Sequence, residues 1–185
     1  MSGLRRGPGG FRGRGTGRGD RRASGGDLAG GQPRASPDRL QPLIVGTRDG
    51  DRINGATVNS FIQVAEDPLR MVLGITKTSL TWEFLRKNPV ATVSFLGEDG
   101  YELARHFGLQ SGRTLDKFAG VPHRPAANGC PVLTQCISFM ELALLSGAEL
   151  DAGSHTVFLA EVKNGGVVSD GKPLTYARYH EIKRG

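Results

Sequence analysis

Two short clusters of hydroxyl and amide side chains are candidates for binding a polar ligand. The first is "NGATVNSF", residues 54–61, and the second is "ITKTSLT", residues 75–81. The first cluster contains no strongly reactive group. Its side chains therefore either decorate a solvent-facing edge or line a cleft whose ligand offers many hydrogen-bond donors and acceptors.

The second cluster ends a predicted strand and opens a predicted helix. At the N-terminus of a helix, unpaired backbone N–H groups and the macrodipole favour an anion. Lys77 adds a positive charge, and Thr78, Ser79 and Thr81 add hydroxyl donors. The pattern predicts a phosphate site. The alternative is structural: Thr78 or Ser79 caps the helix, and Lys77 is a solvated surface residue.

Taken together, the two clusters predict a single ligand. They lie on consecutive predicted strands, about 20 residues apart, and can be neighbours in one sheet. A ligand with one phosphate and a flat, amide-rich ring would use both clusters, and flavin mononucleotide (FMN) has these parts. The chain has neither a Rossmann glycine fingerprint nor a P-loop motif, so the sequence does not indicate a dinucleotide or a nucleoside triphosphate held by those motifs.

The net charge of +6 belongs to the first part of the chain. Residues 1–39 contain 9 Arg and 3 Asp, and the chain from Leu40 onward is neutral. This Arg/Gly-rich tail has few apolar side chains, so we expect residues 1–39 to be disordered and residues 40–185 to form one domain. Arg-Gly repeats also occur in nucleic-acid-binding segments, but Phe11 is the only aromatic residue of this tail. Nucleic-acid binding is therefore the less favoured interpretation.

Cysteine content and hydropathy bear on the compartment. The chain has two cysteines, Cys130 and Cys136, too few for a disulfide framework or a zinc site. We expect them to be small apolar filler residues, with a redox pair as the alternative. No apolar run approaches the ~18 residues of a membrane span, and we see no secretory signal. A cytoplasmic location without membrane contact is therefore expected, and no metal site is predicted.

Strand and turn patterns dominate the residues that must position the two clusters. In "PLIVGTRDGDRINGATVNSFIQV", two β-rich runs flank Asp49-Gly50, which predicts a tight hairpin. "LRMVLGIT" and "VATVSFLG" predict buried strands. Further strands are predicted in "CISFMELALLSGAEL" and in "HTVFLAEVKNGGVV", where Asn164-Gly165 marks a turn or a strand end.

Two short helices separate these strands. "SLTWEFLRKN" predicts a helix ended by Pro89, and "EDGYELARHFG" predicts a helix that closes at Gly108, with Leu103 and Phe107 on its apolar face. Many antiparallel strands with few helices predict a mainly β fold, namely an antiparallel β-barrel with short peripheral helices.

Seven segments occur in an order that is typical of one family: "DGDRINGATVNSFIQV", "ITKTSLTWEFL", "VSFLGED", "FGLQSGRTLDKFAGV", "GCPVL", "DAGSHTVFLAEV" and "PLTYARYHEIKRG". They resemble the flavin reductase-like, FMN-binding split-barrel family, and especially its flavoredoxin type and the flavin domain of high-molecular-weight rubredoxins. The resemblance extends from Leu43 to Gly185. It implies a split β-barrel, FMN as cofactor, NAD(P)H as electron donor and a homodimer with the flavin at the interface.

The resemblance also implies roles for individual residues. His155 corresponds to the position near the ring and the incoming nicotinamide, where we expect a positioning role and not a general base. The ring and the ribityl chain would be bordered by Thr57, Val58, Asn59 and Ser60, and the phosphate would be held by Lys77, Thr78, Ser79 and Thr81. Phe95, Leu96 and Gly97 would pass along the flavin from the next strand. Tyr176 and Tyr179 would cover the cofactor or the dimer interface.

The implied function is that of an enzyme, an NAD(P)H:FMN oxidoreductase (flavin reductase) that passes electrons to a monooxygenase or another acceptor protein. The alternative is a non-enzymatic FMN electron carrier. Ser154 stands where many reductases of the family have Asp, so the chain departs from the family pattern at this position. No rubredoxin-like cysteine pairs follow, so we expect no iron in this chain. His106 and His123 are expected to be structural.

Overall fold

The computed structural model describes residues 40–184. The predicted disordered tail, residues 1–39, lies outside the described residues. Nine strands and three helices follow one another in these bounds: β1 Leu43–Asp49, β2 Arg52–Val58, β3 Phe61–Glu66, β4 Leu69–Thr76, α1 Leu80–Lys87, β5 Val90–Leu96, α2 Tyr101–Leu109, β6 His123–Pro125, β7 Pro131–Leu133, β8 Cys136–Ala152, β9 His155–Val167 and α3 Tyr176–Arg184.

Seven of the strands form one antiparallel sheet in the order β2-β1-β5-β8-β9-β4-β3, while β6 and β7 pair separately. The edge strands β2 and β3 are consecutive in the chain and are joined only by Asn59 and Ser60. The sheet must therefore curl until its edges approach each other. At that point the amide of Gly74 on β4 donates to the carbonyl of Ser60 over 3.0 Å. Within residues 40–184 no ladder joins β2 to β3, so the barrel stays split.

The inside of the barrel is one apolar cluster. Leu43 and Val45 of β1 meet Leu73 of β4 and Phe158 of β9 there, and all are buried. Because side chains alternate along a strand, Ile44 points to the other face of the sheet. There it joins a second cluster, beneath α2 and the following loops, with Ala104, Phe107, Phe118 and Val132.

Several predicted elements are present. Asp49 and Arg52 close the hairpin between β1 and β2, and Gly50 has the positive φ of 59° that this turn requires. Helix α1 ends at Lys87, two residues before Pro89, and carries Phe84 and Leu85 on its buried face. The predicted mainly β fold with short peripheral helices is confirmed.

Other boundaries differ from the prediction. The run that contains "NGATVNSF" is two strands and not one, because the chain turns at Asn59 and Ser60 to reach the opposite edge of the sheet. Helix α2 continues past Gly108 to Leu109. Strand β9 runs through Asn164-Gly165, since a β-bulge opposite Glu141 absorbs the irregularity and Gly165 still pairs with Met140.

The sequence patterns did not predict α3. Its first residues are held to the body of the domain by backbone hydrogen bonds, such as that from the amide of Tyr176 to the carbonyl of Leu40. Within residues 40–184, no helix is both long enough and apolar enough to cross a membrane.

Candidate functional site

The two polar clusters of the sequence meet in one cavity. Thr57, Val58, Asn59 and Ser60 line it from the end of β2, and the other walls come from the end of β4, the cap of α1 and the start of β9. The residues that form these other walls are Gly74, Ile75, Thr76, Ser79 and His155. Strand curvature brings them together, because β4 and β9 are paired up to Thr76 and His155 while β2 arrives from the opposite edge of the sheet.

The helix start in this cavity has groups available for an anion. No hydrogen bond between described residues uses the amide N–H groups of Thr78, Leu80 and Thr81. These are the unpaired donors expected in a first helical turn. The side chain of Thr78 is exposed at the same place. Backbone amides and the positive end of the helix dipole together suit a phosphate.

Ser79 and Thr81 have partners within the protein. The Ser79 hydroxyl donates to the carbonyl of Thr76 over 2.7 Å and accepts from the amide of Trp82 over 3.1 Å, so Ser79 is the N-cap of α1. Thr81 is only 1% exposed, and its hydroxyl accepts from the side-chain amide of Asn54 over 2.8 Å. Both hydroxyls therefore shape the helix start, and the amides of Thr78, Leu80 and Thr81 remain as donors without a partner among residues 40–184.

Lys77 is held at the rim of the cavity by an exposed partner. Its Nζ lies 2.6 Å from Oδ1 of Asp151, whose side chain is 74% exposed. This contact lowers the pKa of Asp151, and the amide of Gly153 also donates to the same carboxylate. An exposed ion pair is weak and exchanges readily with solvent. Lys77 can therefore turn to a phosphate without a large cost.

His155 is fixed by two hydroxyl groups. Its Nε2 lies 3.0 Å from Oγ1 of Thr76, and its Nδ1 lies 2.9 Å from Oγ of Ser154. Both hydroxyls can donate or accept, so either neutral tautomer fits. The carbonyl of Ser154 also accepts from the amide of Lys77 over 3.0 Å. The ring is thus oriented beside the phosphate-binding turn, which suits a positioning role.

A second, more apolar cavity adjoins the first at Asn59. It has a volume of about 190 Å³ and is lined by Leu40, Gln41, Leu43, Asn59, Phe61, Met71, Phe95 and Met140. Phe61 and Phe95 meet edge to face there, with ring centroids 6.1 Å apart. The pair of cavities therefore offers a polar end beside α1 and an apolar end suited to a flat ring.

The remaining predicted residues are not all brought to these cavities. Leu96 is 1% exposed and packs in the second cluster. Gly97 forms an isolated bridge with Pro173. Burial raises the pKa of Tyr176, and the nearby Asn59 side chain partly offsets this rise. Tyr179 packs on Tyr101 of α2 with ring centroids 4.9 Å apart. Leu96, Gly97 and Tyr179, which were predicted to bind the cofactor, line neither of the two cavities at Asn59.

The structure adds four residues that the sequence patterns did not single out. Thr76 orients His155, Asn54 fixes Thr81, Asp151 holds Lys77, and Arg113 donates to the carbonyl of Thr78 over 3.2 Å. Thr76 and Asn54 are inside the two quoted clusters, but the sequence patterns gave neither residue a role. Asp151 and Arg113 come from distant segments, and only the fold places them here.

The other histidines and the cysteines have structural surroundings. Nε2 of His106 lies 2.8 Å from the carbonyl of Lys117, and Nδ1 of His123 lies 2.7 Å from that of Val121. Cys130 and Cys136 are buried and free. Burial raises the pKa of the Cys130 thiol to about 12, which makes this thiol unreactive near neutral pH.

A larger cavity of about 920 Å³ shares no lining residue with the two cavities at Asn59, although the predicted cofactor-binding residue Gly97 lines it. It is lined mainly by residues 97–100, by α2 and by residues 169–172, including Glu98, Glu102 and Asp170. Its volume is greater than that of the cavity at His155, which is about 90 Å³. The convergence of free amides, a lysine and an oriented histidine nevertheless favours the smaller cavity, because size alone carries no chemistry.

Comparisons with known proteins give the family. Residues 41–183 match the flavin reductase like domain. The high molecular weight rubredoxin of Moorella thermoacetica is 35% identical over 144 residues, which are 77% of this chain and 62% of that protein. The chain therefore spans less than two thirds of that relative's length. The ferric-chelate reductase (NAD(P)H) of Archaeoglobus fulgidus is 29% identical over 77% of this chain and 84% of its own length.

A solved structure agrees with these matches. The FMN-binding protein of Thermus thermophilus superposes with a TM-score of 0.68 at 25% identity, over 77% of this chain and 81% of its own. The predicted family and the predicted split-barrel fold are confirmed. With 143 of its 185 residues matched, the chain belongs to the flavin reductase-like domain family.

Proposed function

We propose that this domain is a flavin reductase that binds FMN and uses NAD(P)H as its electron donor. The observation that carries the proposal is the meeting of a flat apolar recess, a helix start with free amides and an oriented histidine around Asn59 and Ser60. These parts fit the ring and the single phosphate of FMN. When bound, FMN supplies the chemistry, namely acceptance of a hydride and release of electrons to a second acceptor.

The residues of the chain would bind and orient, and would not exchange protons. The amides of Thr78, Leu80 and Thr81, together with Lys77, would hold the phosphate, and Phe61 and Phe95 would border the apolar recess. His155 would limit where a nicotinamide can approach, because Thr76 and Ser154 hold its ring. Positioning of this kind lowers the barrier by fixing the distance between the two reacting rings.

The size of the site supports a homodimer. The two adjoining cavities have volumes of about 90 and 190 Å³, and cofactor sites are typically of the order of 300 to 1,000 Å³. One chain therefore provides only part of the wall. We propose that a second copy completes it.

An apolar stripe on the outer face of the sheet is the surface that suits this second copy. Its residues alternate with those of the barrel interior and lie in register across three ladders: Ile62 opposite Val72, Val72 opposite Leu159, and Leu150 opposite Val157. Ile62 is 59% and Leu150 is 70% exposed. Val157 of the stripe pairs with Gly74, and one further pair, Phe61 opposite Leu73, separates Ile62 and Val72 from Ser60 and Gly74. An interface here would therefore border the cavity.

A charged substitution tests the dimer. Ile62→Asp should convert the protein to monomers in sedimentation or light-scattering measurements and should weaken FMN binding at the same time. Val64→Asp is a matched control, since Val64 is also exposed on β3 but is absent from the three ladder pairs that make up the stripe. A monomeric wild type with normal FMN affinity would contradict the dimer.

Electron transfer from a nicotinamide tests the function itself. The full chain is mixed with FMN and either NADH or NADPH, and the loss of absorbance in the nicotinamide band is followed. We expect oxidation well above the rate of free FMN, and His155→Ala should raise the KM for the nicotinamide more than it lowers kcat. A rate equal to that of free FMN would reject the reductase.

The electron carrier is the second candidate. It is favoured by the 35% identity to a protein named as a rubredoxin. It is also favoured because both ring nitrogens of His155 already have hydrogen-bond partners, Thr76 and Ser154, and neither is left for a nicotinamide. A carrier would keep FMN through desalting and would oxidise NAD(P)H slowly. In either case we propose that the electrons go on to an acceptor protein, such as a monooxygenase, in the cytoplasm.

A further inference from the structure

The residues 111–118, "SGRTLDKF", reach the proposed phosphate site from outside the barrel. Nη2 of Arg113 donates to Oε1 of Glu83 over 2.6 Å and to the carbonyl of Thr78 over 3.2 Å, while Nη1 lies 3.1 Å from Oε2 of Glu83. The guanidinium therefore holds both carboxylate oxygens of Glu83 and one backbone carbonyl of the phosphate-binding turn. This fork geometry is typical of arginine.

The segment that carries Arg113 is firmly anchored. At one end, Nη2 of Arg52 donates to the carbonyl of Gly112 over 2.7 Å. At the other end, Nζ of Lys117 is buried and donates to the carbonyls of Gly55 and Phe107, each over 2.9 Å. The position of Arg113 beside α1 is thus determined by contacts on both sides, so the arginine can constrain the turn.

The Glu83 carboxylate would compete with a bound phosphate for the same helix end, and Arg113 holds this carboxylate. Glu83 lies in the first turn of α1, so its carboxylate is attracted to the same positive helix end as a phosphate. The hydrogen bonds from Arg113 hold the pKa of Glu83 below its ordinary value, and this carboxylate is charged at neutral pH with or without them. Without Arg113, that charge and the carbonyl of Thr78 would both be free to oppose a bound phosphate.

We propose that Arg113 is a positioning residue that reserves the first turn of α1 for a phosphate by holding the Glu83 carboxylate and the Thr78 carbonyl away from it. The inference rests on the proposed function, because the phosphate is that of FMN. It assigns to Arg113 the preference for FMN over riboflavin, which has the same ring and no phosphate.

Paired affinity measurements test the proposal. Dissociation constants for FMN and for riboflavin are measured by flavin fluorescence with the full chain. Arg113→Ala should weaken FMN binding about fivefold and change riboflavin binding less than about twofold, as expected for a charge effect at a helix start. Arg113→Lys, which keeps the charge but cannot form the fork, should fall between the wild type and Arg113→Ala.

A second substitution separates electrostatics from simple damage. If Arg113 acts by holding Glu83, then Arg113→Ala combined with Glu83→Gln should recover at least half of the lost FMN affinity, because the competing charge is gone. A merely structural arginine would give no such recovery. Arg105→Ala is the control, since Arg105 pairs with Glu102 on the exposed side of α2 and should change neither constant.

Three results would overturn the proposal. They are an equal loss of FMN and riboflavin affinity in Arg113→Ala, an unchanged FMN affinity, or no recovery in the double variant. A wild-type chain that binds neither flavin would instead reject the proposed function. The two failures are therefore distinct.

Discussion

Lys77 and Lys117 carry the same charge in two different surroundings. Lys77 lies at the rim of the candidate site and pairs with an exposed carboxylate, that of Asp151. Lys117 is 6% exposed and donates to two backbone carbonyls. The first can exchange its partner at little cost, because an exposed ion pair is worth little. The second cannot move without leaving buried carbonyls without a donor.

The difference separates a charge that is available to a ligand from a charge that supports the fold. Lys117 connects residues 111–118 to β2 at Gly55 and to the end of α2 at Phe107. It thereby fixes the strand that leads into Asn59 and Ser60. Within residues 40–184, the side chain of Lys77 donates only to the exposed carboxylate of Asp151. Substitution of Lys117 should therefore change stability, and substitution of Lys77 should change ligand binding. Four measurements test this difference between the two lysines.

The largest effect is expected from Lys117→Ala. The substitution removes a buried side-chain stem and leaves the carbonyls of Gly55 and Phe107 without a donor, so the free energy of unfolding should fall by about 3 kcal/mol. Urea denaturation measures this change, with Lys163→Ala at an exposed pair as the control. A loss below about 0.5 kcal/mol, which is usual for surface sites, would show that Lys117 does not support the fold.

The stability contributed by Lys117 should depend on pH. Burial lowers the pKa of its ammonium group to about 8, so between pH 8 and its ordinary pKa of 10.5 the unfolded chain binds a proton that the folded chain has released. Raising the pH then favours the folded state. Relative to Lys117→Met, the wild type should gain about 2 kcal/mol of stability from pH 8 to pH 10. Parallel pH curves for the two proteins would show that the amine is not desolvated.

Lys77→Ala should affect binding and leave stability unchanged. We expect FMN affinity to fall about tenfold, as for the loss of one cation beside a phosphate, while riboflavin affinity and the free energy of unfolding stay nearly constant. Fluorescence titrations and urea curves of the same preparations check both parts. An equal change for the two flavins would mean that Lys77 does not meet the phosphate.

The smallest effect is expected from Asp151→Asn. The substitution removes the carboxylate that competes for Lys77, so FMN should bind about twofold to threefold more tightly. The same titration measures it, with Asp99→Asn, a change in another exposed aspartate, as the reference. Weaker binding would show instead that Asp151 aims Lys77 at the phosphate.

Features that depend on neighbouring residues were predictable from the sequence. The turn at Asp49-Gly50 needs a positive φ, which Gly50 supplies without help from the rest of the fold. Helix α1 has its cap at Ser79 and a proline shortly after its end, and both signals are local. The clusters at residues 54–61 and 75–81 were visible as groups for the same reason, and both line the cavity at His155.

Features that depend on distant pairing were not predictable in this way. Whether Asn59 and Ser60 continue a strand or link two edges is decided by the pairing of β2 with β1 and of β3 with β4. Thr81 was expected at the phosphate, but the packing of α1 turns its hydroxyl inward to Asn54. A sequence pattern contains no information on this direction, because the approach of the helix to the sheet determines it.

By itself, the sequence determined that this chain forms a mainly β domain of the flavin reductase-like family with two polar clusters in the right order. Local backbone preferences and side-chain alternation are sufficient for that much. Only the tertiary structure decided that Arg113 meets Thr78 from 35 residues away and that Asp151 meets Lys77 from 74 residues away. Pairing between distant segments produces these contacts, since β9 pairs with both β4 and β8, and the segment after α2 packs against the start of α1.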